Sequence, residues 1–411
     1  MKSDEGVESL DLRRKAMRII VMFGIISLLG DIIYEGARGV NGAYLQILGV
    51  DAALVGVITG LAQFVGAALR FLTGYAADRS RGYWAFTIAG YLALAVVPLM
   101  ALTGIWQVVA LLIIMEQFAK AVRSPSRETI VSQAAKQVGT GWGFGISEAL
   151  DQIGAVIGPL IFVGLFAFIG TSAATGQDYR TGYSLLWIPF IVLCITLLAA
   201  YRTRHPPGEF ERDAAVAPGK EKLTTTFWLY SAFVFLTAIG FFSFVLVSYH
   251  LKARALLSDF WIPAAYIVAM AVDGAVALAV GRFYDRRKER SGKAAGGISV
   301  MLLVPLLALP LPLMLFSTEI WLIMPGIVMW GAVMGINESV LKAGVADLTS
   351  LRKRGAGFGM FYTVYGLALF GGSALAGELY MISIPALAAF TVAVEAASIP
   401  VMWAILKRKE D

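Results

Sequence analysis

Asp31, Glu35 and Arg38 stand four and three residues apart inside one long apolar run. Glu116, Lys120, Arg123 and Arg127 repeat that spacing inside another. At about 100° per residue each set falls on a single helix face. Ionised groups are expensive inside a bilayer, so they face a cavity or a partner. Two chemistries suit such stripes. Either a carboxylate takes up a proton under the control of the neighbouring cations, or the acids and bases merely neutralise one another. In the first stripe the internal pair is Asp31 or Glu35 with Arg38, and Asn41 and Tyr44 follow further along. In the second, Glu116 and Lys120 lie too deep to snorkel to water, whereas Arg127 and Glu128 also fit an interfacial snorkelling pair.

A third run carries Glu148, Asp151 and Gln152, followed by Gly154, Gly158 and Pro159. Its small residues offer a smooth face to a close neighbour, and Pro159 permits a bend. The second half of the chain is poorer in charge. Asp273 lies midway in one run, and Asn337, Glu338 and Lys342 lie towards the end of another. Glu338 and Lys342 have the spacing of a simple ion pair. Tyr362 and Tyr365, with the Phe-rich run from 227 to 249, either line an apolar surface or pack.

The elements that must position these groups are membrane helices. Hydrophobic residues make up 58% of the 411-residue chain and charged residues 15%, against about 25% charged in soluble domains. That balance excludes a soluble enzyme. Runs long enough to cross a bilayer lie near 17–44, 53–75, 84–103, 106–126, 142–169 and 184–201, then near 226–249, 262–282, 296–317, 320–343, 358–381 and 384–406. The expected organisation is a tail (1–16), six helices (17–201), a polar linker (202–225), six more helices (226–406) and a short tail (407–411).

Basic residues cluster on the side of the termini: Arg13 to Lys15, Arg79 and Arg81, Lys136, Arg202, Arg204 and Lys220, Arg286 to Lys288, Arg352 to Arg354, Lys407 and Arg408. By the positive-inside rule both termini are cytoplasmic in a cell membrane. Arg180, Lys252 and Arg254 are the exceptions. The net charge of +6 is accounted for by these loops and calls for no nucleic acid. One cysteine, Cys194, and two histidines, His205 and His250, give no soft-metal site. No Walker loop is present and no cofactor is expected.

One octapeptide occurs twice, half a chain apart: Gly74-Tyr-Ala-Ala-Asp78-Arg79-Ser80-Arg81, then Gly281-Arg282-Phe283-Tyr284-Asp285-Arg286-Arg287-Lys288. Each follows an apolar run and opens a basic turn, which marks the chain as a tandem repeat. The Gly lets helices approach. The Asp can face a helix N-terminus, and the Arg can meet an acid or a lipid phosphate. Gly143-Phe144-Gly145 and Gly357-Phe358-Gly359 correspond in the same way, and Gly158 then aligns with Gly372.

These loops resemble the G-x-x-x-D-R-x-G-R motif of the major facilitator superfamily, with Arg81-Gly82 inverted relative to it. The segment Gly154 to Pro159 resembles the G-x-x-x-G-P motif of its proton-antiporter members. The stretch from Lys120 to Pro159 also resembles uncharacterised prokaryotic members. The resemblance implies an all-α membrane protein of twelve helices, in two six-helix bundles related by an axis along the membrane normal. It implies alternating access, with Gly74, Asp78, Arg79, Gly154, Gly158, Pro159, Gly281, Asp285 and Arg286 acting in the conformational change.

The expected function is secondary active transport by a monomer, with a small-molecule substrate, a proton as coupling ion and lipid as surroundings. Asp31 and Glu116 lead as proton carriers, with Glu35, Glu148 and Asp151 in reserve. Arg38, Asn41, Tyr44, Lys120, Arg123, Asp273, Glu338, Tyr362 and Tyr365 are the expected cavity residues. Three readings stand: proton-coupled export of an amphipathic organic molecule, transport of an organic anion or zwitterion, and a non-transporting receptor or lipid-moving protein. The orientation is testable. In a Cys194→Ser background, cysteines at Ser80 or Ser291 are expected to resist impermeant thiol reagents in intact cells, and one at Thr175 to react. The opposite labelling pattern overturns the orientation.

Overall fold

The computed structural model describes residues 2–138, 140–170, 173–202, 223–349 and 354–408, and every regular element among them is helical. Most of the expected linker, with Arg204 and Lys220, lies outside the described residues. So do the side chains of Lys136 and Arg352 to Arg354 and those of Gly143-Phe144. The first helix runs unbroken over Lys2–Ile47, so the expected tail continues the first span instead of preceding it.

Ten helices among the described residues are long and apolar enough to cross a membrane. Two expected spans complete the twelve. The fourth, Trp106–Val138, is long but charge-rich. The ninth is a chain of short helices from Ala294–Ile298 to Leu311–Leu315, interrupted around Pro305, Pro310 and Pro312. Proline removes a backbone donor and clashes with the preceding turn, which accounts for those breaks. The seventh span also breaks, into Thr225–Ile239 and Phe244–Ala253. Gly240 caps the first piece. The Ser243 hydroxyl starts the second by accepting from the Val245 N–H at 3.2 Å.

The two six-helix bundles pack alike. The fifth span, Thr140–Ile169, lies on the first, where a Cβ at Gly158 would meet the Ile32 carbonyl at 2.5 Å. At the corresponding place the eleventh, Arg354–Ile382, lies on the seventh, where a Cβ at Gly372 would meet the Ile239 carbonyl at 2.4 Å. Between bundles, the second span (Ala52–Ser80) packs on the eleventh and the eighth (Trp261–Ser291) on the fifth, the same pairing under the pseudo-two-fold.

The side away from the termini is shut. There Gly42 lies against Val245, and Gly377 against Ala52. Asp259, in the loop before the eighth span, ties the bundles together. It accepts from the Ala174 N–H at 2.7 Å and the Tyr179 hydroxyl in the first bundle, and pairs with Lys252 of its own bundle at 2.6 Å. Lys252, an exception to the charge rule, thus has a structural partner.

The repeated loops differ from expectation. Asp78 is exposed and, among the described residues, accepts from the Tyr83 hydroxyl at 2.9 Å. Because Arg81 and Gly82 are inverted, Arg81 carries the left-handed φ of 53° that ends the second span, a conformation costing roughly 1–2 kcal/mol outside glycine. In the second copy Gly292 takes that role, with φ 67°. Asp285 and Arg286 are exposed. Their neighbours Tyr284 and Lys288 instead grip Asp347 of the tenth span (Ile320–Leu348) at 2.8 and 2.7 Å.

The shut side depends on bare backbone. A Cβ at Gly42 would fall 1.8 Å from the Val245 carbonyl, and one at Gly377 2.4 Å from that of Ala52, whereas Gly104 has nothing within 4 Å. Gly42→Ala and Gly377→Ala are each expected to cost about 1–3 kcal/mol and to lower the melting temperature. Gly104→Ala should leave it unchanged. Equal melting of all three variants would remove this contact from the account.

Candidate functional site

Between the bundles lies a cavity of about 330 Å³. Its lining runs from Arg70, Glu128, Glu148 and Lys342, near the span ends on the terminal side, to Phe241, Phe244 and Trp330 at mid-depth. It therefore opens towards the termini and is floored by aromatic rings. Phe241 stacks on Trp330 at 5.6 Å, and Phe244 meets it edge-on at 5.4 Å. The Trp330 indole N–H donates to the Phe242 carbonyl at 3.0 Å, which anchors the floor to the broken seventh span.

Glu35 is the hub of the wall. It pairs with Arg38 at 2.7 Å and with Lys120 of the fourth span at 3.7 Å. It also accepts a short hydrogen bond from the hydroxyl of Tyr266, on the eighth span in the other bundle. The two sequence stripes thus face each other as one lattice. Tyr34 is its apolar backing. Its ring centroid lies 3.6 Å from Lys120 Nζ and 5.4 Å from the Arg123 guanidinium, within cation–π range. Arg123 also donates to the Tyr91 hydroxyl at 3.1 Å. Arg127 donates to Ser147 at 2.6 Å and pairs with Asp151 at 3.1 Å, joining the fourth and fifth spans.

Asp31 lines the cavity, is 4% exposed, and leaves Oδ2 without a hydrogen-bond partner. Its position is fixed by the fifth span, since a Cβ on Gly154 would stand 2.8 Å from that of Asp31. Asp31 takes no part in the internal ion pair; Glu35 does.

Of the other sequence-derived residues, Arg38, Lys120, Arg123, Glu148, Asp151, Asp273, Glu338, Tyr362 and Tyr365 line the cavity. Three do not. Glu116 is buried behind the wall, 4.0 Å from Arg38, and accepts from the Gln117 amide at 3.2 Å. Asn41 accepts from Tyr183 at 2.8 Å, and Tyr44 donates to the Thr103 carbonyl at 2.8 Å, both within the first bundle. They sit on the stripe of Asp31 by spacing, but beyond the cavity floor, where the first span is enclosed by the sixth. The Glu338–Lys342 ion pair that the spacing allows is not formed among the described residues, and both residues line the cavity. Gly74 lets the second span close on the fourth, with a Cβ there 3.4 Å from Pro125. Pro159 is buried beside Gly158.

Tyr34, Tyr266 and Arg70 escaped the sequence reading. The two tyrosines look like ordinary apolar-run aromatics, and only their partners distinguish them. Among the described residues no group of three or more His, Cys, Asp or Glu is placed to hold a metal ion.

Residues 19–373 match the family model of the Major Facilitator Superfamily. An uncharacterised protein of Mycobacterium tuberculosis is 38% identical over 396 residues, covering 95% of this chain and 93% of that one. Among solved structures, the nucleoside transporter NupG superposes with a TM-score of 0.65 at 16% identity, over 95% of this chain and 100% of NupG. A bacterial homologue of the human lysosomal transporter Spinster, inward-facing and unoccupied, gives 0.64 at 16% identity over 95% of each chain. At these identities the structures show a shared fold.

The lattice predicts how its members fail. Removing one partner of a buried pair leaves an uncompensated charge and costs on the order of 3 kcal/mol. Arg38→Gln is therefore expected to lower the melting temperature sharply, and the Glu35→Gln/Arg38→Gln double variant to recover much of the loss. Additive losses in the double variant would show that the two side chains act independently.

Proposed function

The chain belongs to the major facilitator superfamily, and on that premise we propose that it is a secondary active transporter that exports a small amphipathic organic molecule in exchange for protons. The observation that carries this reading is the partner set of Glu35. Two of its partners come from the first bundle and one, Tyr266, from the second. Any rocking of the bundles must break or remake that set. A carboxylate that loses cation or hydroxyl partners binds a proton more readily. Asp31, facing the same cavity with an open oxygen, is the second carrier. Glu116, behind the wall, serves by fixing Arg38.

The substrate rests between the charged first-bundle wall and the aromatic floor. An amphipathic molecule suits that contrast, its apolar part on Phe241, Phe244 and Trp330 and its polar part towards the lattice. The second reading, an organic anion or zwitterion, is favoured by Lys120 and Arg123 meeting on the ring of Tyr34. We further propose a monomer in the cell membrane with both termini cytoplasmic. Gly74, Asp78, Arg79, Gly281, Asp285 and Arg286 are proposed to act in the opposite conformation, when the terminal side closes.

The test is flux in proteoliposomes under an imposed pH gradient, with a substrate found by ligand-induced thermal stabilisation. Asp31→Asn and Glu35→Gln are expected to abolish gradient-driven accumulation, with substrate exchange surviving in at least one of them. Glu116→Gln should reduce flux by a smaller factor. Full accumulation in both the Asp31 and the Glu35 variants would remove proton coupling from this wall. No flux of any stabilising ligand by the wild type would favour a receptor or a lipid-moving protein.

A further inference from the structure

Glu395 stands in the middle of the twelfth span, Ile384–Lys407, and takes no part in the central cavity. It is 0% exposed, and neither carboxylate oxygen has a hydrogen-bond partner. The seventh, ninth and eleventh spans pack around it. Their charged residues lie near their ends: His250 and Lys252 on the seventh, Arg354 and Glu378 on the eleventh, none on the ninth; the twelfth itself adds only Lys407. No ion pair reaches Glu395 among the described residues.

What faces the carboxylate is the break in the seventh span. A Cβ built on Gly240 would stand 2.9 Å from Glu395 Oε1, so the carboxylate lies close against the bare backbone of that glycine. Thr391, one turn earlier on the same face, is buried, and its hydroxyl donates to the Gly240 carbonyl at a long 3.4 Å. Where the helix stops at Ile239 and resumes at Phe244, no backbone N–H among the described residues donates to the carbonyls of Gly240 and Phe241. A carboxylate and a hydroxyl of the twelfth span therefore both meet the break at Gly240, at mid-depth.

A bare carboxylate there is strongly disfavoured. A neutral carboxyl still has an O–H to place, and neither oxygen has a partner at hydrogen-bond distance. A cation satisfies several lone pairs at once without bringing them into mutual contact. One negative charge among neutral oxygens suits a hard, singly charged ion better than a divalent or soft one. Carbonyls of a broken helix near the midplane are how transporter folds hold such ions.

We propose that Glu395, Thr391 and the Gly240 carbonyl form a binding site for one alkali cation of the sodium type. The same break carries Phe241, Phe242 and Phe244 into the cavity lining. Occupancy of the site therefore sets the shape of the break, and through it the floor on which a substrate lies. This goes beyond the proton-exchange reading, relies on none of its carboxylates, and is tested without a substrate.

Purified protein is melted in detergent at constant ionic strength in sodium, potassium or choline chloride. Sodium is expected to raise the melting temperature saturably, by a few degrees over choline and by more than potassium does. Glu395→Gln keeps the shape and removes the charge, and is expected to abolish the sodium response. Thr391→Val, which leaves the carboxylate intact, is expected to raise the half-saturating sodium concentration at least tenfold. A wild-type protein whose melting ignores sodium overturns the site. So does a sodium response that survives unchanged in both variants.

Discussion

A charge placed in the bilayer interior must be partnered, and the partners of Glu35 set the geometry of the whole cavity. Arg38, Lys120 and Tyr266 reach it from three helices and both bundles. In a low-dielectric wall each contact is stronger than in water, and each unmade contact is costlier. The first, fourth and eighth spans are thereby held in register. Arg123, which Glu35 does not pair with, lies over the rings of Tyr34 and Tyr91. With its partners drawn from three helices, the lattice has few ways to rearrange.

The apolar interfaces supply the freedom that the lattice withholds. Glycine against backbone recurs at Gly158 on the first span, Gly372 on the seventh, Gly42 on the seventh and Gly377 on the second. Such contacts bring helices close through dispersion alone, with no side-chain interlock to break. Within a bundle they make a rigid unit. Between bundles, on the side away from the termini, they lie beside the Asp259 contacts with Ala174 and Tyr179. The fold so divides into two stiff halves joined by a few polar latches.

The halves are alike in packing and unlike in chemistry. The first offers the cavity a wall of acids and bases; the second offers Phe241, Phe244, Trp330, Tyr362 and Tyr365, with Asp273 and Glu338 among them. Duplicated architecture supplies two like halves, and divergence of its two copies gives the cavity between them a polar and an apolar face. Broken spans matter for the same reason. Only where helix hydrogen bonding is interrupted, as at Gly240 to Ser243, does the backbone have carbonyls to offer.

Much of this was legible in the chain itself. Apolar runs of bilayer length, basic clusters at alternate ends and a doubled octapeptide determine a polytopic helical protein of two halves, because desolvation and charge placement act on composition alone. Helical spacing likewise shows that Asp31, Glu35 and Arg38 share a face, as do Glu116, Lys120 and Arg123. Spacing cannot say how far along a stripe the cavity extends. The tertiary structure alone decided that Asn41 and Tyr44 turn into the first bundle and that Glu116 sits behind the wall. It also decided that Glu35, rather than Asp31, holds Arg38, and that Tyr266 crosses from the other half to meet it. Those outcomes depend on which helix lies opposite at each depth, and a local pattern carries no record of a neighbour more than two hundred residues away.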